Sequence, residues 1–410
     1  MLAFLCSGFY CKGQVISLDS VFSTIKANNP GLKMYDADIR SMDEAAKGAR
    51  SWMPPEAGAG FYMTPYDTKM WKGDGIGQPG AGQFMFSAQQ MFPNQSRLNA
   101  ESKYMRSMSF VEKDRKNNSL NELYTEAKKA YYEWIMGKKK LVILEQDEKL
   151  LNFMIQSAEL RYKNGMERIS AYYKAKAALG NVENMRIMLE SEIRQKRIAL
   201  NALMYRNKEQ PLEIDTSYSI KDYSGLSLDS TTFISARSDI KAIEKNMQLT
   251  NLQLTLEKTK LKPEFGIRYD HMIAFGDMPM QFTLMGMVKI PIAPWSSKMY
   301  KANIESFRWK AESLNQQRLM TINMAQGMTA SMLADFEAKK KQVQLFENNI
   351  IPALRKNYQT MQLGYEQNTE ELFMLFDAWE TLNMTQLEYI DQLRQLLIMQ
   401  SELEKLLEIK

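Results

Sequence analysis

The sequence predicts a mainly α protein with a β component: long antiparallel α-helices of coiled-coil character, with four β-strands of membrane-spanning length, all written as an internal duplication. Three observations carry this. Landmarks recur in one order in the two halves of the 410-residue chain. Four segments alternate apolar and polar residues at period two. The remainder is dense in charge and almost free of proline over stretches much longer than an ordinary globular helix.

The duplication is read from short matches that hold their order. "SLDS" occupies Ser17 to Ser20 and returns at Ser227 to Ser230. Each copy leads into an amphipathic stretch of about 35 residues that ends in a Pro-Glu pair, Pro55-Glu56 and Pro263-Glu264. "QFMFSAQQMFP" (Gln83 to Pro93) is answered by "QFTLMGMVKIP" (Gln281 to Pro291), and "RYKNG" (Arg161 to Gly165) by "GYEQN" (Gly364 to Asn368). Four landmarks in one order mark a repeat. Residues 15–210 form the first copy, 211–226 an equatorial linker and 227–410 the second, with the Pro, Gly and Ser of 207–226 placing that segment outside the helices.

The four alternating segments fall at about 55–64, 83–92, 263–272 and 281–290. In the first, Ala57, Ala59, Phe61 and Met63 oppose Glu56, Gly58, Gly60 and Tyr62. In the second, Phe84, Phe86, Ala88 and Phe92 oppose Gln83, Met85, Ser87 and Gln89. In the third, Phe265, Ile267 and Tyr269 oppose Glu264, Gly266, Arg268 and Asp270. In the fourth, Phe282, Leu284, Val288 and Ile290 oppose Gln281, Thr283, Met285, Met287 and Lys289. A half-buried sheet of a water-soluble protein would alternate in the same way, and alternation alone leaves that reading open. Length favours the membrane, because about ten residues is what a tilted spanning strand needs. Four strands are too few to close a barrel, and lipid does not tolerate an open sheet edge. Several copies of the chain must therefore share one barrel.

The helices account for the rest. From Leu98 to about Lys163 there is no proline, which allows a leg on the order of 100 Å. The matching leg from Lys298 contains Pro352, where a kink is expected. The returns, Ile169 to Arg206 and Glu370 to Glu408, are about half as long, and the amphipathic stretches before Pro55 and Pro263 supply the missing length. The pattern predicts a helical tube in which outgoing legs alternate with stacked half-length returns. In the last helix Leu372, Phe376, Trp379, Leu387, Ile390, Leu393 and Leu397 follow spacings of three and four, a seam for packing. A secreted coiled-coil scaffold is the alternative from another class.

Composition excludes several functions. The net charge of +5 is small and its basic residues are interspersed with acidic ones, which gives nucleic-acid binding little support. No run of about 20 apolar residues offers a membrane-spanning helix. Both cysteines lie in the first eleven residues, within "MLAFLCSGFYCKGQ", a stretch like the apolar part of a secretory signal, and residues 1–14 are taken as its remnant. Neither cysteine is preceded by the small residues suited to lipidation. Removal of the signal would leave no thiol for disulfides or metal. His271 is the only histidine, and no phosphate-binding glycine loop occurs, so nothing is set up for catalysis and no cofactor is called for. The chain reads as a passive element.

At this point the residues resemble a known family, the TolC-type outer-membrane efflux proteins, from Ser17 to about Lys410. The likeness is carried by "SLDSVFSTIKANNPGL" with its Asn29-Pro30, by "ARSDIKAIEKN" (Arg237 to Ile240 at its core), by "KIPIAPWSSKMYKANIES", and by the paired Tyr-Gly turns. The resemblance implies a homotrimer whose twelve strands close one barrel in the outer membrane of a Gram-negative cell, above a long periplasmic α-helical tunnel. It further implies a periplasmic adaptor protein and an inner-membrane efflux pump as partners. Carried over residue by residue, Tyr162, Gly165, Tyr365 and Asn368 fall at the tip turns where the adaptor docks and the channel is held shut. Asp377, twelve residues after Tyr365, matches an aspartate that rings the tunnel entrance, and Lys174 is its counterpart in the first repeat. Glu370 stands where some relatives have an arginine, so their closing tether is not implied here.

Cargo is read from sulfur. The chain holds 31 methionines, and thioether is a soft ligand for Cu(I) or Ag(I). Methionine is also a good helix former and gap filler, the bland account for those in helices. Met85, Met91, Met285 and Met287 differ, because the strand pattern places them on the polar face. They are taken as weak, transient metal sites in a conduit for heavy-metal cations, with drugs or other small molecules as the alternative cargo.

Overall fold

The computed structural model describes residues 15–72, 80–225, 229–276, 278–291 and 293–409. The expected signal remnant at 1–14, the start of the second "SLDS" copy and part of the loop after the first strand lie outside them. In chain order the elements are β1 (Val15–Ile16), α1 (Leu18–Asn28), α2 (Pro30–Lys47), β2 (Glu56–Tyr62), β3 (Gln83–Phe92), α3 (Gln95–Lys163), α4 (Ile169–Leu203), β4 (Glu213–Ile214), α5 (Ser230–Ala236), α6 (Ser238–Thr259), β5 (Glu264–Ala274), β6 (Gln281–Lys289), α7 (Pro294–Leu345), α8 (Ile351–Glu366) and α9 (Leu372–Leu407). The mainly α architecture with four long strands is the one expected. None of the described helices is long and apolar enough to cross a membrane.

The chain divides into two compact units, and each draws on both halves of the sequence. A helical unit takes the chain up to Met34, Lys116–Ser238 and the residues from Thr321 onwards; a sheet unit takes Tyr35–Arg115 and Asp239–Met320.

In the helical unit, heptad spacing builds the core. Leu144, Leu151 and Ala158 on α3 and Ala175, Val182 and Leu189 on α4 are buried at intervals of seven, packed with Tyr365 of α8 and Leu372, Leu375, Phe376 and Trp379 of α9. Of the seam expected on α9, Leu372, Phe376, Trp379, Ile390, Leu393 and Leu397 are buried and Leu387 is partly buried. Gly137 of α3 sits against α4, where a Cβ would lie 2.8 Å from Ile193 Cγ1. Before Pro352 the helix does not simply bend. One π-helical turn, Phe346–Ile350, intervenes between α7 and α8, which accommodates the ring and the missing N–H by widening the turn.

Two features add detail to this layout. The stretches before Pro55 and Pro263 are each built of two helices, α1 with α2 and α5 with α6. Asn29 ends α1 and caps α2, its Oδ1 accepting from Gly31 N at 2.9 Å with Pro30 as the first helical residue, while its Nδ2 donates to Leu203 O at 3.0 Å. In the second copy the break falls at Arg237, whose Nη1 donates to Leu406 O, and Ser238, which donates to Glu408 through both N and Oγ. The linker contributes one short strand. β4 pairs in parallel with β1, and the Tyr131 hydroxyl ties the two by donating toward Ile16 O at 3.1 Å and Asp215 O at 2.8 Å.

In the sheet unit the order is β2-β3-β5-β6, antiparallel throughout, so the two repeats join through the central β3–β5 ladder. β3 has its expected bounds. β5 runs on to Ala274, β6 stops at Lys289, and β2 stops at Tyr62 because Met63 turns into the left-handed region at φ 48°. Met63 therefore does not belong to the apolar strand face as expected.

Candidate functional site

Two places in the chain gather the residues singled out by sequence. The first is the sheet. Its register aligns rows across the four strands: Ala59, Phe86, His271 and Phe282 form one, and Ala57, Ala88, Tyr269 and Leu284 another. Residues directly opposite share a face, so these rows belong to one apolar surface. Phe86, Phe265, Ile267, Tyr269, Phe282, Leu284 and Val288 on it are exposed, Leu284 at 67 %. His271, unassigned to a face by sequence, belongs to this surface.

Aromatic clusters mark both ends of the apolar face. At one end Phe61, Trp71, Phe84 and Phe275 pack together, with Trp71 stacked on Phe275 at 5.0 Å and its Nε1 donating to Pro65 O at 2.9 Å. At the other end Trp52 meets Phe92 edge-on at 5.2 Å. From Phe84 to Phe92 the strand rises about 27 Å, close to the apolar band of a membrane barrel with its aromatic girdles.

The opposite face is polar. Glu56, Gln89, Arg268 and Met285 share a row, as do Gly58, Ser87, Asp270 and Thr283. Asp270 is buried and takes Arg268 Nε at 2.9 and 3.2 Å, and Gln89 donates to Glu56. The four strand methionines all lie on this face but not at one point. Met91 and Met287 flank Gly266, where a Cβ would collide with Met91 Sδ and stand 3.2 Å from Met287 Cε. Met85 is in another row beside Met272, and Met285 is paired with Arg268. Met272 lies within the expected strand at 263–272 but beyond Asp270, the last residue there that the alternation assigns to a face.

The second place is the pair of turns in the helical unit. α3 ends with Gly165 at φ 72°, whose N donates to Tyr162 O at 2.9 Å while Met166 N donates to Arg161 O at 2.9 Å. α8 ends with Asn368 at φ 56°, where the same two bonds run from Asn368 N to Tyr365 O and from Thr369 N to Gly364 O. Both are Schellman caps, and both place tyrosine at the second position from the helix end. Between the turns lies a cavity of about 600 Å³ lined by Arg161, Gly165, Arg168, Asn368, Glu370 and neighbouring residues.

The repeat-related pairs have diverged. Tyr365 is 3 % exposed, whereas Tyr162 is 47 % exposed. The Tyr365 hydroxyl shares a 2.8 Å hydrogen bond with Ser157 Oγ. Lys174 places its ammonium over the rings of Phe373 and Phe376, at 4.1 and 4.3 Å from their centroids, a cation–π clamp. Asp377 is exposed on α9. The structure thus holds Lys174 against α9 and leaves Asp377 facing outward.

Several buried polar side chains of the helical unit are not singled out by the sequence, and Asp147 is one of them. Asp147 of α3 is buried; Trp379 Nε1 donates to its Oδ1 at 2.8 Å and its Oδ2 has no partner. Burial pushes its carboxyl up to about 6, against the opposing effect of the indole bond. The signal available in the sequence was its place between Leu144 and Leu151 in the heptad seam.

No protein-family model matches the chain, and no curated protein matches it. Solved structures do. The outer-membrane channel OprN superimposes with a TM-score of 0.76 at 13 % identity, over 95 % of this chain and 89 % of that one. CusC, described as forming a transmembrane channel, gives 0.76 at 16 %, over 96 % and 92 %. The outer membrane protein VceC from Vibrio cholerae gives 0.74 at 16 %, over 95 % of each. The fold expected from the resemblance to the TolC-type outer-membrane proteins is the fold this chain has.

Proposed function

We propose that the chain is the outer-membrane channel of a tripartite efflux system, a passive conduit from periplasm to exterior that assembles as a homotrimer. The observation that carries this is the sheet: an exposed apolar face of membrane height, aromatic clusters at both ends, a polar face behind it, and two open edges at β2 and β6. A sheet of that kind has no stable place in water as a monomer. In lipid its edges close only against further copies. The apolar face meets outer-membrane lipid and the polar face lines the pore.

On this reading the capped turns with Tyr162, Gly165, Tyr365 and Asn368 meet the periplasmic adaptor, which couples the conduit to an inner-membrane pump. Asp377 rings the entrance, with Lys174 packed behind it. The cargo is a heavy-metal cation such as copper or silver, for which the polar-face methionines offer soft ligands.

The test is direct. The protein is extracted from outer-membrane fractions, run with and without heating, and reconstituted in planar bilayers. A heat-modifiable trimer with discrete conductance is expected; a dispersed monomer with full β-signal would overturn the channel reading. Deletion of the gene should sensitise cells to Cu(I) and Ag(I) more than to dyes. Altered drug susceptibility alone would transfer the cargo to small molecules.

A further inference from the structure

We propose that Met91 and Met287, with Met53, form a binding site for a soft monovalent cation, Cu(I) or Ag(I), at the end of the sheet where β3 gives way to α3. The site deepens the conduit reading, and its role in export rests on that reading.

Three features of the sheet unit converge there. The register puts Met91 and Met287 on the same face on either side of Gly266. Only glycine leaves that space open: a Cβ at 266 would collide with the Met91 sulfur and press on the Met287 methyl. Met53 arrives from the chain preceding β2, fixed by the hydrogen bond from Gln90 Nε2 to its carbonyl at 3.0 Å. Met53 and Met91 both line a cavity of about 160 Å³, so the Met91 side chain borders open space rather than being sealed in a core.

The charge of that cavity suits a cation. Arg97, Glu101 and Glu264 also line it, and Arg97 Nη1 is paired with Glu264 Oε1 at 2.6 Å. With Glu101, the three charges sum to one negative. Packing alone does not account for the choice of residue, because a pore face gains nothing from apolar filling and leucine would fill the gap above Gly266 as well. Thioethers select soft ions over hard ones such as Mg2+ or Ca2+. Among the described residues, no group of three His, Cys, Asp or Glu side chains is placed to hold a harder metal.

The experiment uses the purified full-length chain in detergent with Ag(I) as the probe, followed by calorimetric titration and X-ray absorption at the silver edge. Silver should bind with a sulfur-dominated shell, and Met91→Leu/Met287→Leu should weaken the tightest site about tenfold or more while the melting temperature holds. Met53→Leu, at an exposed position, should weaken the same site by a smaller factor without disturbing the fold. A nitrogen or oxygen shell, or unchanged binding in both variants, would overturn the proposal. Because binding is measured on the isolated chain, the two readings separate. Sulfur-bound silver in cells whose metal tolerance does not depend on the gene would leave the site standing and remove the cargo; metal sensitivity on deletion with binding indifferent to all three changes would do the reverse.

Discussion

Arg161 lies face-on to Tyr365. Its guanidinium carbon is 3.9 Å from the ring centroid, and its Nη2 donates to the Tyr365 carbonyl at 2.9 Å, so one arginine from the first turn clasps the tyrosine of the second. The two contacts are separable, because any residue at 365 keeps the carbonyl. A double-mutant cycle on Arg161→Ala and Tyr365→Leu therefore isolates the stacking and should give a coupling of about 1 to 2 kcal/mol in thermal or denaturant unfolding. Additive losses would show that the ring and the guanidinium are merely adjacent.

The Asp147 carboxyl supplies a pH dependence whose sign is fixed. Its folded value of about 6 stands above the ordinary 3.8, so the native state holds this proton more tightly than the unfolded chain does. Stability from this group is greatest below about pH 4, declines as pH rises through the window to about 6, and stays low above it. That difference corresponds to roughly 3 kcal/mol at most. Asp147→Asn retains an acceptor for the Trp379 indole and removes the charge. It should raise the unfolding midpoint at pH 7.5 and flatten the profile between about pH 4 and 6. A variant whose profile matches the parent would locate the pH dependence elsewhere.

Gly137 is a helix-interior glycine that replacement should not improve. Alanine there normally gains about 1 kcal/mol in a helix. Here the added methyl meets Ile193 Cγ1 at 2.8 Å and Cδ1 at 3.2 Å. Gly137→Ala should therefore lower the melting temperature, and Gly137→Ala with Ile193→Ala should recover part of the loss relative to Ile193→Ala alone. A simple gain in the single variant would show that Ile193 swings aside at no cost.

What the sequence reveals depends on how many faces an element buries. β3 is legible to the residue because its alternation has one apolar face, whereas Met63 carries the alternation one step past the point where the backbone turns left-handed. The turns at Gly165 and Asn368 are legible because a left-handed cap demands glycine or asparagine. α3 is harder. Tyr131, Tyr132, Trp134, Ile135 and Met136 are buried almost consecutively, so the helix is covered on several sides and shows no single stripe. The β1–β4 ladder is two residues long and is tied by a tyrosine hydroxyl from α3, which no local pattern announces. Asp147 falls in the heptad seam between Leu144 and Leu151, but the partner that accommodates it there, Trp379, is distant in sequence.

The apolar sheet face predicts a strong asymmetry between two arginine substitutions. Leu284 lies midway between the aromatic ends, in the row of Ala88 and Tyr269. Leu284→Arg should cost about 2 to 4 kcal/mol if that face meets lipid, seen as loss of the folded band on refolding into bilayers. Gln89→Arg is on the polar face beside Glu56 and should be far milder. Equal costs would mean that the sheet does not distinguish lipid from pore.

Asp377 supplies the last test, and Lys174 its contrast. The two share a register in the repeats, yet Lys174 is clamped by Phe373 and Phe376 while Asp377 is exposed. In a homotrimer each copy would contribute one carboxylate to the entrance, and three like charges at a constriction favour cations. Asp377→Asn should lower cation selectivity in single-channel recordings and weaken block by divalent cations, with stability unchanged. Lys174→Met keeps the stem and loses the charge; it should cost about 1 kcal/mol in unfolding and leave selectivity nearly as it was. If selectivity follows Lys174 and ignores Asp377, the entrance charge has been assigned to the wrong repeat.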